Sequence, residues 1–129
     1  MNDEVQSGSP TLITLTPRSQ QVLFSLPALR GLGEEERRKV AGLVHEIAVA
    51  KGETVYRAGE EPDALYVVVS GAVDVLDGAQ VITRYGPGEV FGESVLVAEQ
   101  RRLVTTRIAL DAILLVLPKE RVAQSGIAA

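Results

Sequence analysis

Gly88-Glu89-Val90-Phe91-Gly92-Glu93-Ser94-Val95-Leu96, followed by Arg101-Arg102-Leu103-Val104-Thr105-Thr106, is the stretch around which the chain is organised. Its glycines let backbone approach a ligand closely, a carboxylate directly follows Gly92, and a guanidinium returns nine residues after that carboxylate. If Gly92 ends a strand and Glu93 opens a short helix, the free N–H groups of the first turn face outward and favour negative charge. Arg102, on the next segment, can clamp the same anion through a planar fork of donors. The residues describe an anion site with a carboxylate beside it to read a hydroxyl.

On the carboxyl side of this stretch, residues 103–109 and 112–117 read as a final pair of strands around Leu110-Asp111, and Pro118 permits a short helix from Lys119 to about Gln124. On the amino side, Gly86-Pro87-Gly88 is a turn. Before it, Asp77-Gly78 joins residues 73–76 to residues 80–85 as a hairpin, because both central positions of a type I′ turn need positive φ. Residues 64–70 are the strongest strand signal, and Gly71 ends or bends that strand. Residues 54–57 form a short strand between two turns. Residues 45–50 alternate with period two and form the first strand.

Two helices stand in front. Thr16-Pro17 supplies a hydroxyl cap and a proline at the first helical position, for a helix to about Ser25 that Pro27 stops. Residues 34–44 carry three acids followed by three bases, which suits the helix dipole, with Val40, Leu43 and Val44 toward the core. The charged run reads as a solvated face, and His45 is given no more than a local hydrogen bond. Residues 1–15 read as a flexible tail and residues 16–129 as one domain. The expected fold is mainly β, an antiparallel β-roll of jelly-roll type with flanking short helices.

Composition removes several function classes. The 129-residue chain has no cysteine, which excludes a disulfide framework, a thiolate nucleophile and Cys-based metal sites. One histidine cannot build a metal centre, and no cofactor is expected. A formal charge of −4 argues against binding nucleic acid alone or an anionic membrane. No apolar run approaches the roughly 20 residues of a membrane helix. Met1-Asn2-Asp3-Glu4 is acidic and no signal-type apolar core follows, so a cytoplasmic location is expected.

Phe91-Gly92-Glu93 with Arg101-Arg102-Leu103-Val104-Thr105 resembles the phosphate-binding cassette of the cyclic-nucleotide-binding domain family. The spacing is that of the family's kinase-regulatory and channel branches, where the glutamate precedes the phosphate-binding arginine by nine positions; the bacterial catabolite-activator branch uses ten. Nine from Glu93 is Arg102, so Arg102 rather than Arg101 carries the role over. Lys51-Gly52-Glu53, Arg57-Ala58-Gly59-Glu60 and residues 63–73 are similar to the family's glycine-punctuated first half, and the resemblance covers residues 26–122.

The resemblance implies roles. Arg102 would meet the cyclic phosphate, and Glu93 would accept from the ribose 2′-OH in a charge-assisted bond contributing roughly 1.5–3 kcal/mol. Gly92 would allow close approach. Backbone N–H groups near Ser94, Val95 and Leu103 would complete the cradle, Val90 and Leu96 would line its apolar side, and Thr105 matches the family's hydroxyl position. Two positions depart from the family. Val95 stands where alanine or glycine is usual, and Leu103 where a small residue is usual; both are expected to bring bulk toward the ligand. Leucine also cannot meet a guanine amino group as threonine there does, so cAMP is expected over cGMP.

The expected function is a cyclic-nucleotide-binding sensory module, not an enzyme. The alternative is a degenerate form of the same fold that acts as a protein-interaction module, with Glu93 and Arg102 paired to each other. The sensory half of a transcription regulator is a further reading, set back by the absence of a helix-turn-helix sequence after the roll. Family members usually cover the base with a longer carboxyl-terminal helix. Here a lid is expected from a partner subunit, from the amino-terminal helix or from a longer parent protein, or else it is absent; a homodimer or an effector domain is the partner considered.

Overall fold

The computed structural model describes residues 15–96 and 100–126. The tail expected over residues 1–15 thus lies outside the described residues except for Leu15, and so do residues 127–129. In chain order the elements are α1 (Pro17–Leu23), α2 (Glu34–Ala41), β1 (His45–Val49), β2 (Thr54–Tyr56), β3 (Ala64–Asp77), β4 (Gln80–Tyr85), β5 (Val90–Phe91), a 3₁₀ turn (Glu93–Leu96), β6 (Thr105–Pro118), a second 3₁₀ turn (Lys119–Arg121) and α3 (Val122–Ser125).

The strands form the expected antiparallel roll, built on two 14-residue strands. β3 and β6 pair along their whole lengths, from Ala64 opposite Pro118 to Leu76 opposite Thr105. β1 and β2 pair with successive parts of β6, while β5 and β4 pair with successive parts of β3. Each long strand therefore passes from one half of the roll to the other.

This corrects the reading of residues 103–109 and 112–117 as two strands. They belong to one strand, and Leu110-Asp111 is an irregularity within it: Ser70 lies opposite Ile113 but Ala72 lies opposite Leu110, so β6 carries an extra residue there. Asp111 accepts a hydrogen bond from the Lys51 backbone N–H at 2.8 Å, which is why a polar residue interrupts an apolar strand. Gly71 bends β3 without ending it. Its φ is +88°, and a Cβ there would lie 2.3 Å from the Asp111 carbonyl oxygen, so β3 and β6 cross closely only because no side chain intervenes.

The hairpin after β3 is also shifted by one residue. Asp77 pairs with Gln80, so the two-residue loop is Gly78-Ala79, with Gly78 at φ +63° in its first position. Asp77 is the last ladder residue rather than a turn residue.

Residues 64–69 are buried without interruption because both faces of β3 are covered there. Leu65, Val67 and Val69 join Leu115, Leu117, the helical residues Leu23 and Val40, and Leu29 from the turn between α1 and α2 in one core. Ala64, Tyr66 and Val68 turn the other way, into the roll, to meet Tyr56, Val73, Phe91, Ile108 and Leu114. α1 is anchored beneath this sheet. Thr16 Oγ1 accepts from the Ser19 N–H at 3.2 Å, and the Glu46 carboxylate on β1 accepts from the Ser19 hydroxyl at 2.7 Å and from Thr16. At the start of α2 the Gly33 N–H donates to Glu36 at 2.9 Å. Among the described residues no helix is long and apolar enough to cross a membrane.

Candidate functional site

β5 delivers the chain into the site. Phe91 is fully buried inside the roll, and Gly92 follows at φ +88°. That conformation turns the backbone into the 3₁₀ turn, whose Val95 N–H donates to the Gly92 carbonyl at 3.2 Å. Gly92 also has no room for a side chain. A Cβ would lie 3.1 Å from the Tyr66 ring, 3.2 Å from Arg102 Nη1 and 3.3 Å from the Ala64 carbonyl oxygen.

Arg102 arrives from the segment before β6. Its backbone is tied to the turn after β2, since Gly59 N–H donates to Arg102 O at 2.7 Å and Arg102 N–H donates to Glu60 O at 2.9 Å. Neighbouring Arg101 turns outward, donating to Gly59 O at 3.2 Å and lying 3.4 Å from the Glu61 carboxylate. Arg102 turns inward and is 2% exposed. Its Nη1 donates to Gly92 O and its Nη2 to Ala64 O, both at 2.8 Å, and Nη2 lies 3.8 Å from the Asp63 carboxylate. The guanidinium also lies over the Tyr56 ring, 3.9 Å from its centroid.

An open pocket of about 250 Å³ lies here, lined by Tyr56, Val75, Tyr85, Gly92, Glu93, Arg102, Leu103 and Val104. Of the residues singled out from the sequence, Gly92, Glu93, Arg102 and Leu103 therefore share one cavity. Glu93 is exposed, and Leu103 is 74% exposed at the same mouth. Val95 does not bring bulk to the cavity: it packs into the core between helices and sheet. Val90 packs against that same core rather than lining the pocket. Thr105 Oγ1 accepts from the Ala58 N–H at 3.0 Å and so holds the turn beside Arg102. The side chains of Ser94 and Leu96 lie outside what is described.

Tyr56, Val75, Tyr85 and Val104 were not singled out from the sequence. For Tyr56, Val75 and Tyr85 the signal was the alternation of β2, β3 and β4, which marks inward positions but not which cavity they reach; Val104 lies in the irregular segment before β6 and carried no such signal. Tyr66, Phe91 and Tyr85 stack, with centroids 5.1 and 5.6 Å apart across Phe91. Burial, with Asp63 nearby, pushes the Tyr66 hydroxyl up to about 12. Burial also raises Tyr56 and Tyr85, the latter further through Glu93 and Glu89. These rings are neutral at ordinary pH, and Arg102 supplies positive charge at the pocket floor. Among the described residues no three His, Cys, Asp or Glu side chains gather to hold a metal.

The profile of the cyclic nucleotide-binding domain matches residues 46–125 of this chain. A cAMP-dependent protein kinase regulatory subunit from Eremothecium gossypii is 34% identical over 88 residues, covering 68% of this chain and 19% of that protein. The regulatory domain of Toxoplasma gondii PKA, solved with cAMP, superposes with a TM-score of 0.72 at 24% identity, covering 86% of this chain and 47% of that one. The regulatory subunit of a cAMP-independent protein kinase A from Trypanosoma cruzi, solved with guanosine, gives 0.71 at 22% identity, covering 86% and 43%. The chain spans about a fifth of the length of the kinase regulatory subunits it matches.

Proposed function

The chain belongs to the cyclic nucleotide-binding domain family, and from that premise we propose that it is a cytoplasmic, non-catalytic regulatory module whose pocket takes a 3′,5′-cyclic nucleotide, cAMP in preference to cGMP. One observation carries the reading: Gly92, Glu93 and Arg102, far apart in side-chain chemistry and nine residues apart in sequence, line a single cavity. In this reading Arg102 supplies the positive charge for the cyclic phosphate, and the exposed Glu93 carboxylate accepts from the ribose 2′-OH. Leu103, apolar and at the pocket mouth, offers no hydrogen-bonding group to a guanine amino group. Residues 16–129 form the module, and a partner subunit, an effector domain or another part of a longer protein covers the open side.

A second reading is favoured by the state of Arg102. Its guanidinium donates to two backbone carbonyls and is 2% exposed, which is also what a structural arginine does in a fold that has given up its ligand and acts through protein partners.

Isothermal titration with cAMP and cGMP up to millimolar concentration separates the two. The proposal expects saturable heat with cAMP and weaker binding of cGMP. Glu93→Gln should weaken cAMP and be nearly silent toward 2′-deoxy-cAMP. Neither heat nor thermal stabilisation with either nucleotide would replace the sensor with the interaction module.

A further inference from the structure

We infer that Tyr56 is the positioning residue of the anion site: its ring fixes the plane of the Arg102 guanidinium, so that the fold itself orients the charge. The inference rests on the reading of this pocket as a cyclic-nucleotide site and extends it to a residue outside the cassette. Arg102 is a long side chain, and ordering it on binding would cost affinity. Here the ordering is built into the fold. The Tyr56 ring covers one face of the guanidinium at 3.9 Å, while Gly92 O and Ala64 O hold two of its nitrogens at 2.8 Å. A planar cation held by one face and two edge contacts has little freedom to tilt.

The ring itself is held firmly. Tyr56 is 8% exposed, and its centroid lies 6.1 Å from that of Tyr66 and 6.2 Å from that of Phe91, which are stacked on each other. Phe91 leads directly into Gly92. The aromatic group thus connects the arginine to the glycine turn through packing: if the rings keep their places, so do the donor and the backbone beside it. Both Tyr56 and Arg102 line the pocket. Arginine on an aromatic face is favoured because the ring's negative face attracts the cation, and the contribution grows where water is excluded.

The test combines affinity with a signal from Arg102 itself. Titration with cAMP is carried out on the wild-type protein, Tyr56→Phe and Tyr56→Leu, and the Arg102 side-chain Nε–Hε resonance is followed by ¹⁵N NMR without ligand. Tyr56→Phe keeps the ring and is expected to hold Kd within about twofold, whereas Tyr56→Leu is expected to raise it about tenfold. In Tyr56→Leu the Nε–Hε resonance should move toward the position of a solvent-exposed arginine; in Tyr56→Phe it should stay. Tyr56→Met, which fills more of the ring's volume, replaces Tyr56→Leu if the latter unfolds.

An unchanged Kd in the aliphatic variant overturns the inference. So does a raised Kd with an unmoved Arg102 resonance, which would make Tyr56 a packing residue, and so does a Tyr56→Phe variant as weak as Tyr56→Leu. If the wild-type protein binds no cAMP, the cyclic-nucleotide reading falls and this inference falls with it, a result distinguished by the silence of the wild type.

Discussion

Gly88 and Gly92 share a φ of +88° and differ only in what surrounds them, which makes Gly88→Ala and Gly92→Ala a controlled pair. A side chain at either position pays for an unfavourable backbone conformation, about 1–2 kcal/mol. At Gly88 that is the whole effect, because nothing lies within 4 Å of the new Cβ. At Gly92 the methyl group would meet the Tyr66 ring at 3.1 Å, Arg102 Nη1 at 3.2 Å and Ala64 O at 3.3 Å, all tighter than ordinary contact. Crowding of this kind adds about 1–3 kcal/mol. Gly92→Ala should therefore be less stable than Gly88→Ala by about 1–3 kcal/mol in urea unfolding at equal m-value. Relief requires Arg102 to move, since Ala64 O is backbone and Tyr66 is buried in the aromatic group. The same variant should accordingly lose cAMP affinity, about tenfold or more, while Gly88→Ala retains it. Equal stability of the two variants would show that the Gly92 turn is looser than these contacts require and would refute the argument.

Two further outcomes follow from other contacts. Asp74 is held below its ordinary value of 3.8 chiefly by hydrogen bonding to Arg84, whose Nε lies 2.6 Å and Nη2 3.2 Å from the carboxylate oxygens. A depressed carboxylate contributes stability above its unfolded pKa and loses it as pH falls through the folded value. Thermal unfolding followed as the pH is lowered should thus show a loss that sets in below the ordinary carboxylate value, about pH 4, and is shallower in Asp74→Asn. Glu46→Ala removes the carboxylate that accepts from Thr16 and Ser19, and should cost about 2 kcal/mol in urea unfolding, with Glu46→Gln intermediate; no change would mean that α1 is held by its apolar face alone.

Much of the roll was legible because alternation and glycine placement are local properties. β1, β2 and β4 fall within a residue of their expected spans, and β3 runs through both segments expected on either side of Gly71, which was expected to end or bend its strand. The error at Leu110-Asp111 has a physical cause. A polar, apparently turn-like pair can be absorbed as a bulge if a neighbouring element supplies a partner, and here the Lys51 N–H, 60 residues away, does so. The one-residue slip at the hairpin has a similar cause: Asp77-Gly78 is a sound local turn signal, but ladder register placed Asp77 opposite Gln80.

The sequence alone determined the alternating strands, the family pattern and the spacing that sets Glu93 nine residues before Arg102, since each depends on residues close along the chain. Only the tertiary structure decided that Val95 faces the core, that Arg102 turns inward while Arg101 turns out, and that Tyr56 lies beneath the guanidinium. Side-chain direction in a turn depends on which surfaces are left to cover, and a ring 46 residues before its arginine reaches it only once β2 and β6 have paired.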